Sequence, residues 1–237
     1  MTSPPLTRPI KSFVLRSGRM SRAQSRSYTN SPRWIIPCGA APLDLAARFG
    51  NDHPVTVEIG FGMGTASAEI AAANADRNYL GIEVFRAGIG RLIWEIENRS
   101  LENIRIIEGD AAEVVEKLLV PESIAAFHIF FPDPWPKKKH HKRRLLQKPF
   151  AELLASRLAP GGYVYVVSDW EDYAAGALEA LGGVETLENP WRGFAPAQAW
   201  RPQTKFEKKG IAKNHTINEI YFVRRERRDG KRDTGTD

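Results

Sequence analysis

Four acidic residues stand where an apolar run gives way to a loop: Glu58, Glu83, Asp110 and Asp133. Glu58 opens the run Glu58-Ile59-Gly60-Phe61-Gly62-Met63-Gly64. Glycines at alternate positions allow a tight turn and let a ligand lie against the backbone. The spacing is Gly-x-Gly-x-Gly, which differs from the G-x-G-x-x-G of dinucleotide sites. An acid two residues before the first glycine repels a pyrophosphate and attracts a cation, which suits a sulfonium or amino group. Glu83, 25 residues further on, is of the kind that accepts hydrogen bonds from both hydroxyls of a ribose. Asp110 is followed by Ala111 and can accept from an adenine amino group; Asp133 lies between Pro132 and Pro134. A ligand-free turn, a helix cap or a solvated loop acid would each explain one of these residues. Four in succession after apolar strands are poorly explained that way.

The acids converge only if the runs before them are parallel strands, because ligands in open α/β sheets bind outside the carboxyl ends of the strands. The pattern fits. Short apolar runs alternate with helical stretches from residue 55, which predicts βαβ units and a mostly parallel sheet. Strands are expected at Val55–Ile59, Tyr79–Val84, Ile104–Ile107, Ala125–Phe131, Tyr163–Val167 and Ile217–Arg224. Helices are expected at Thr65–Ala75, Arg86–Asn98, Ala112–Leu119 and Asp172–Leu181, with another entered through Pro149. Pro160-Gly161-Gly162 reads as a turn, and residues 189–215 read as irregular, rich in Pro, Trp and charge.

A chain of 237 residues, 42% of them hydrophobic, suits one large α/β domain or two small ones. The one cysteine, Cys38, excludes an internal disulfide or a cysteine-cluster metal site and fits a reducing compartment, the cytoplasm. No stretch approaches the ~20 apolar residues of a membrane-spanning helix. The adjacent His140 and His141 have no carboxylate or cysteine at ligand spacing, so no metal is expected. His128, inside an apolar strand, reads as a core residue.

Charge is unevenly placed. Lys and Arg number 34 against 28 Asp and Glu, for a net charge of +6. Residues 1–43 hold seven basic residues and no acid, and residues 137–148 hold seven more and no acid. The rest is net acidic. Concentrated basic segments without an apolar face point to a nucleic acid as partner, before a membrane. Residues 1–35, rich in Ser and Arg with little periodicity, fit either a basic arm that orders on RNA or an organelle transit peptide.

With these residues in view, the chain resembles the single-chain tRNA (guanine-N7-)-methyltransferases of bacteria. The matching segments are Ser12–Arg19, Val57–Gly64, Gly81-Ile82-Glu83, Gly109-Asp110, Phe130–Lys138, Ser168-Asp169 and Thr204–Glu207. Phe130-Phe131-Pro132-Asp133-Pro134-Trp135-Pro136-Lys137-Lys138 is the most specific of them. The resemblance runs from about residue 10 to 223 and implies a Rossmann-like class I methyltransferase: a mostly parallel seven-stranded sheet, helices on both faces and an antiparallel last strand. It implies S-adenosylmethionine as cofactor and tRNA as partner. Glu58, Gly60, Gly62, Gly64, Glu83, Asp110, Ala111 and Asp133 fall on the cofactor site, and Asp133 also on the catalytic position. Lys137, Asp169, Thr204, Lys205, Phe206 and Glu207 fall on substrate contacts, and Lys139, His140, His141, Lys142, Arg143 and Arg144 on the RNA-contacting stretch.

The resemblance favours an RNA-binding arm over a transit peptide for residues 1–35, expected to be disordered without RNA. Residues 36–225 are expected to form one methyltransferase domain and 226–237 a charged, disordered tail. No obligatory protein partner is expected, and the chain would be a monomer or a weak homodimer. Guanine N7 carries an in-plane lone pair, so Asp133 reads as a positioning and electrostatic group with no proton to abstract. Trp135 either stacks on a base or packs in the wall. Two competing functions remain. A non-catalytic RNA-binding module would need none of the four acids, and a polyamine synthase would have its cationic substrate repelled by Lys137–Arg144.

Overall fold

The structure, a computed structural model, describes residues 11–13, 19–39 and 41–226. Its elements in chain order are α1 (Arg22–Asn30), α2 (Leu45–Phe49), β1 (Val55–Ile59), α3 (Thr65–Ala73), β2 (Asn78–Glu83), α4 (Arg86–Asn98), β3 (Ile104–Glu108) and α5 (Ala111–Leu118). There follow β4 (Ile124–Phe130), α6 (Lys148–Arg157), β5 (Leu158–Ser168), α7 (Glu171–Gly182), β6 (Leu187–Glu188), α8 (Lys205–Ile211) and β7 (Asn218–Arg224). Short 3-10 turns cover Pro32–Trp34 and Lys138–Arg143.

The seven strands lie in the order β3-β2-β1-β4-β5-β7-β6. β1 to β5 pair in parallel, and β7 runs antiparallel to both β5 and β6. β1 and β2 are buried at every position, including the polar Thr56, Glu58, Asn78 and Glu83. The order reverses between β1 and β4, the switch point outside whose carboxyl strand ends open α/β sheets bind ligands. One core cluster joins the sheet to α2, α5, α6 and α7; the other joins it to α3, α4 and Trp34. No helix among the described residues is long and apolar enough to cross a membrane.

Four expectations change. The Pro-Gly-Gly turn lies inside β5, which already pairs Leu158 with Ile124 and then shifts register before Tyr163 meets Ala126. The irregular stretch 189–215 contains α8. The seventh strand, β6, has only two residues and left no periodic signal.

The fourth change concerns the arm. Disorder does not hold over residues 21–35. Ser21 caps α1 in a reciprocal capping box with Gln24. The helix lies so close to α4 that a Cβ on Gly90 would stand 2.4 Å from the Gln24 carbonyl oxygen. Tyr28 donates to Glu108 at 2.5 Å, Trp34 is buried, and Ile36 N–H donates to Ile106 O at 2.7 Å. The packed body therefore starts well before Val55. Of the tail expected over 226–237, residues 227–237 lie outside the described residues, as do the first ten residues.

Candidate active site

The glycine turn follows β1 into α3. Gly60, Gly62 and Gly64 have φ of 76, 59 and 69°, a left-handed run that side-chain-bearing residues rarely adopt. α4 rests on this turn: a Cβ on Gly88 would lie 1.8 Å from Gly62 O. Backbone groups of the turn are thus held against the ends of β1 and β2.

Glu83 ends β2 and is fastened by three backbone donors. Its Oε2 accepts from Gly62 N–H at 2.8 Å; its Oε1 accepts from Val84 at 2.7 Å and Phe85 at 3.0 Å. A carboxylate has about four acceptor sites, so capacity remains on Oε2 for a hydroxyl. Burial holds the Glu83 carboxyl above its ordinary range, and the nearby Asp133 charge adds to this. Glu58 is also buried; desolvation pushes its carboxyl up to about 7, with Glu83 contributing. No cation among the described residues perturbs either acid. Two desolvated carboxylates beside a cradle of glycine backbone fit a ligand that brings a positive charge and hydroxyl donors.

This geometry sets the sign of a pH effect. The folded state holds the Glu58 proton up to about pH 7, whereas the unfolded chain releases it near 4.5. Its contribution to stability is complete below about pH 4.5 and is lost as the pH rises through about 7. Glu58→Gln is therefore expected to unfold at higher urea than wild type at about pH 8, by up to ~3 kcal/mol, with the gain vanishing near pH 4.5. The same gain at both pH values would show that Glu58 is not desolvated. The variant should also bind a cationic ligand more weakly.

Asp110 combines two readings. It is the N-cap of α5, its Oδ1 accepting from Ala112 N–H at 3.0 Å, and its second oxygen is left for a ligand. Ala111 begins α5. The site edge is closed by the Gly109 N–H to Glu83 O bond of 3.1 Å, which ties the ends of β3 and β2.

Asp133 sits past the end of β4 in a distorted segment. Phe131 and Trp135 both have left-handed backbone, with φ of 51 and 47°. For residues other than glycine this costs about 1–3 kcal/mol each and persists only where the surroundings enforce it. Phe131 N–H is pinned to Val167 O at 2.8 Å. Trp135 packs within the protein: its Nε1–H donates to Ser12 O at 3.1 Å, Arg143 lies 4.8 Å over its ring, and His140 meets it edge-on.

The basic stretch separates into two kinds of residue. Lys137, Lys139 and Lys142 are exposed on the 3-10 turn, and His140, His141 and Arg143 are half-buried. Arg144 is buried and bonded to protein: its guanidinium donates to Pro134 O at 3.0 Å and to the carboxylate of Asp172. Arg144 is thus committed to contacts within the protein, unlike the exposed lysines beside it.

The substrate residues are also partly spent within the protein. Thr204 caps α8 through Glu207 N–H at 3.1 Å, and Glu207 reaches back to Thr204 N–H. Buried Glu207 takes both ends of the Arg201 guanidinium, at 2.6 and 3.0 Å; Arg201 also donates to Glu219 at 2.8 Å. Glu219 accepts from the Tyr165 hydroxyl. Sequence reading missed Arg201 and Glu219. The Thr-x-x-Glu capping pattern was visible and would have located α8. The network fixes α8 so that Phe206, exposed at 49%, overhangs Gly62. Lys205 is exposed, and Asp169, at the end of β5, pairs with His215 Nδ1 at 3.3 Å. His128 is buried, lies 3.1 Å from the Tyr163 hydroxyl and is kept neutral by desolvation, its pKa down at about 3.

Comparison with known proteins follows the same lines. Residues 52–220 match a family model described as a putative methyltransferase. A protein of Bordetella pertussis named tRNA (guanine-N(7)-)-methyltransferase is 50% identical over 216 residues, covering 91% of this chain and 85% of the relative. A Nitrosospira multiformis protein of the same name is 48% identical over 220 residues, covering 92% and 96%. Among solved structures, the 16S rRNA methyltransferase KamB superposes with a TM-score of 0.53 at 11% identity, over 78% of this chain and 94% of that one. The antibiotic-resistance methyltransferase Kmr gives 0.52 at 15% identity, over 77% and 92%. At such identities the likeness is one of fold.

Proposed function

Because this chain belongs to the tRNA (guanine-N(7)-)-methyltransferase family, we propose that it transfers the methyl group of S-adenosylmethionine to N7 of a guanine in the tRNA variable loop. The observation that carries the reading is the pair of desolvated acids, Glu58 and Glu83, set around a left-handed glycine turn beside Asp133. The cofactor supplies an electrophilic methyl group on a positively charged sulfur. Glu58 offers that positive ligand a counter-charge, Glu83 a hydroxyl acceptor and Asp110 an acceptor for an amino group.

Asp133 does two things in this reading. Its carboxylate accepts from the N1–H and N2–H₂ edge of guanine, which fixes the direction in which N7 points. It also favours the positive charge that the purine ring acquires as N7 is alkylated. No residue needs to remove a proton beforehand, since the N7 lone pair is free in neutral guanine. Alignment is then the main task, and orientation of this kind can supply roughly 7–11 kcal/mol. Lys137, Lys139, Lys142 and Arg143 neutralise phosphates and hold the RNA without reading its sequence. Lys205 and Phe206 close the substrate side of the crevice.

The test is direct. The purified protein is incubated with unmodified tRNA and labelled S-adenosylmethionine, and the RNA is digested to nucleosides. The expected product is 7-methylguanosine, in amounts approaching one per tRNA. Label in a methylated exocyclic amine, or none at all, would refute the reading.

A further inference from the structure

Arg144 is the exception in its own segment. From residue 137 to 144 it is the only buried basic side chain, and the two leucines that follow, Leu145 and Leu146, enter the core. Its contacts run between two elements. Nε donates to Pro134 O at 3.0 Å, the carbonyl directly after Asp133. Nη2 donates to the Asp172 carboxylate, and Nη1 reaches Asp172 O at 3.4 Å, in the first turn of α7. Nη2 also meets His141 Nε2 at 3.0 Å, and the guanidinium lies over the Tyr173 ring at 5.6 Å.

We propose that Arg144 is a positioning residue that ties the strained Asp133 segment to α7. A left-handed Phe131 and a left-handed Trp135 on either side of Asp133 would relax without an external hold. Phe131 is held by β5 through Val167, and Pro134 by Arg144. A carbonyl, a carboxylate and a second carbonyl are bonded at once because the guanidinium presents a planar fork of donors. A lysine has the charge without the fork. The role in the reaction rests on the reading of Asp133 given above; the brace itself does not.

Arg144→Lys separates this role from a phosphate contact. A phosphate accepts a lysine nearly as well as an arginine, whereas the three-way brace does not survive the exchange. The expected result for Arg144→Lys is a single-turnover methylation rate at saturating tRNA reduced at least roughly tenfold. The tRNA dissociation constant and its salt slope should stay as in wild type, since a lost phosphate contact would lower the slope by about 0.7–0.9. The comparison variant carries Lys139→Ala, Lys142→Ala and Arg143→Ala, and is expected to show weaker binding and a flatter slope.

Asp172→Asn weakens the same brace from an exposed side chain that threatens no core packing. It should slow the reaction in the same sense, by less. Hydrogen exchange of the 130–138 peptide should rise in both variants. Wild-type exchange in both would overturn the brace. Increased exchange with an unchanged rate would overturn its role in the reaction, as would an Arg144→Lys variant that keeps the rate while Arg144→Ala flattens the salt slope. Should wild type fail to methylate tRNA, the proposed function falls, and exchange still decides the brace.

Discussion

Asp133→Ala is expected to leave a folded protein that binds S-adenosylmethionine and tRNA but transfers the methyl group about 10²–10³-fold more slowly, the usual loss when one preorganised electrostatic group is removed. Asp133 belongs to no strand or helix and lies between two prolines, so its side chain can be shortened without opening the core. The strained backbone around it indicates what the carboxylate is held for. Phe131 and Trp135, two of six non-glycine residues with positive φ among the described residues, carry a conformational cost on either side of it. Asp133→Asn keeps the shape and one acceptor but loses the charge, so it should fall between wild type and alanine. Single-turnover kinetics at saturating tRNA and cofactor provide the measurement. A rate within a few-fold of wild type for the alanine variant would remove Asp133 from the reaction. A variant whose loss appears only in cofactor affinity would move it to the binding site.

The second large effect is expected from removal of residues 1–30. On composition alone this segment looks dispensable to the body. In the structure it contributes α1, which covers α4 at Gly90 and places Tyr28 on Glu108, two residues before Asp110. Ser31, left behind, keeps its bond to Glu97 at 2.5 Å, but Trp34 loses Tyr28, which packs against its cluster. The helix is polar, so the loss is modest per residue: ~2–3 kcal/mol in all. For a domain of this size that corresponds to a fall in Tm of roughly 5–10 °C. The truncation should also weaken cofactor binding, because Glu108 loses a partner at the β3 end of the site. An unchanged Tm would mean that α1 merely rests on α4. A raised KM for tRNA with an unchanged Tm would assign the segment to RNA alone.

The α/β alternation, the glycine turn and the four acids were legible because each is written in neighbouring residues. Buried parallel strands leave largely apolar runs, as in Ile124–Phe130, and the three left-handed positions of the turn after β1 are all glycine. The acids follow the runs because a strand's carboxyl end is where the chain leaves the sheet. α1 was not legible, since a helix reading Arg-Ala-Gln-Ser-Arg-Ser-Tyr-Thr-Asn has no apolar stripe. It is held by close backbone approach to a glycine sixty-odd residues away in the chain.

The α/β alternation from residue 55, the glycine turn and the acids beside it follow from residue type and spacing alone. Local pattern encodes burial and turning, and the parallel sheet follows from it. Packing selects which side chains remain available. Arg143 and Arg144 are identical in type and adjacent, yet one rides on Trp135 at the surface of the loop and the other is buried against Pro134 and Asp172. Both oxygens of Glu207 accept from the Arg201 guanidinium. A charged side chain is committed by the partner that folding brings within hydrogen-bond reach, and that partner can come from any other element. Topology sets the pairing, and no spacing along the chain records it.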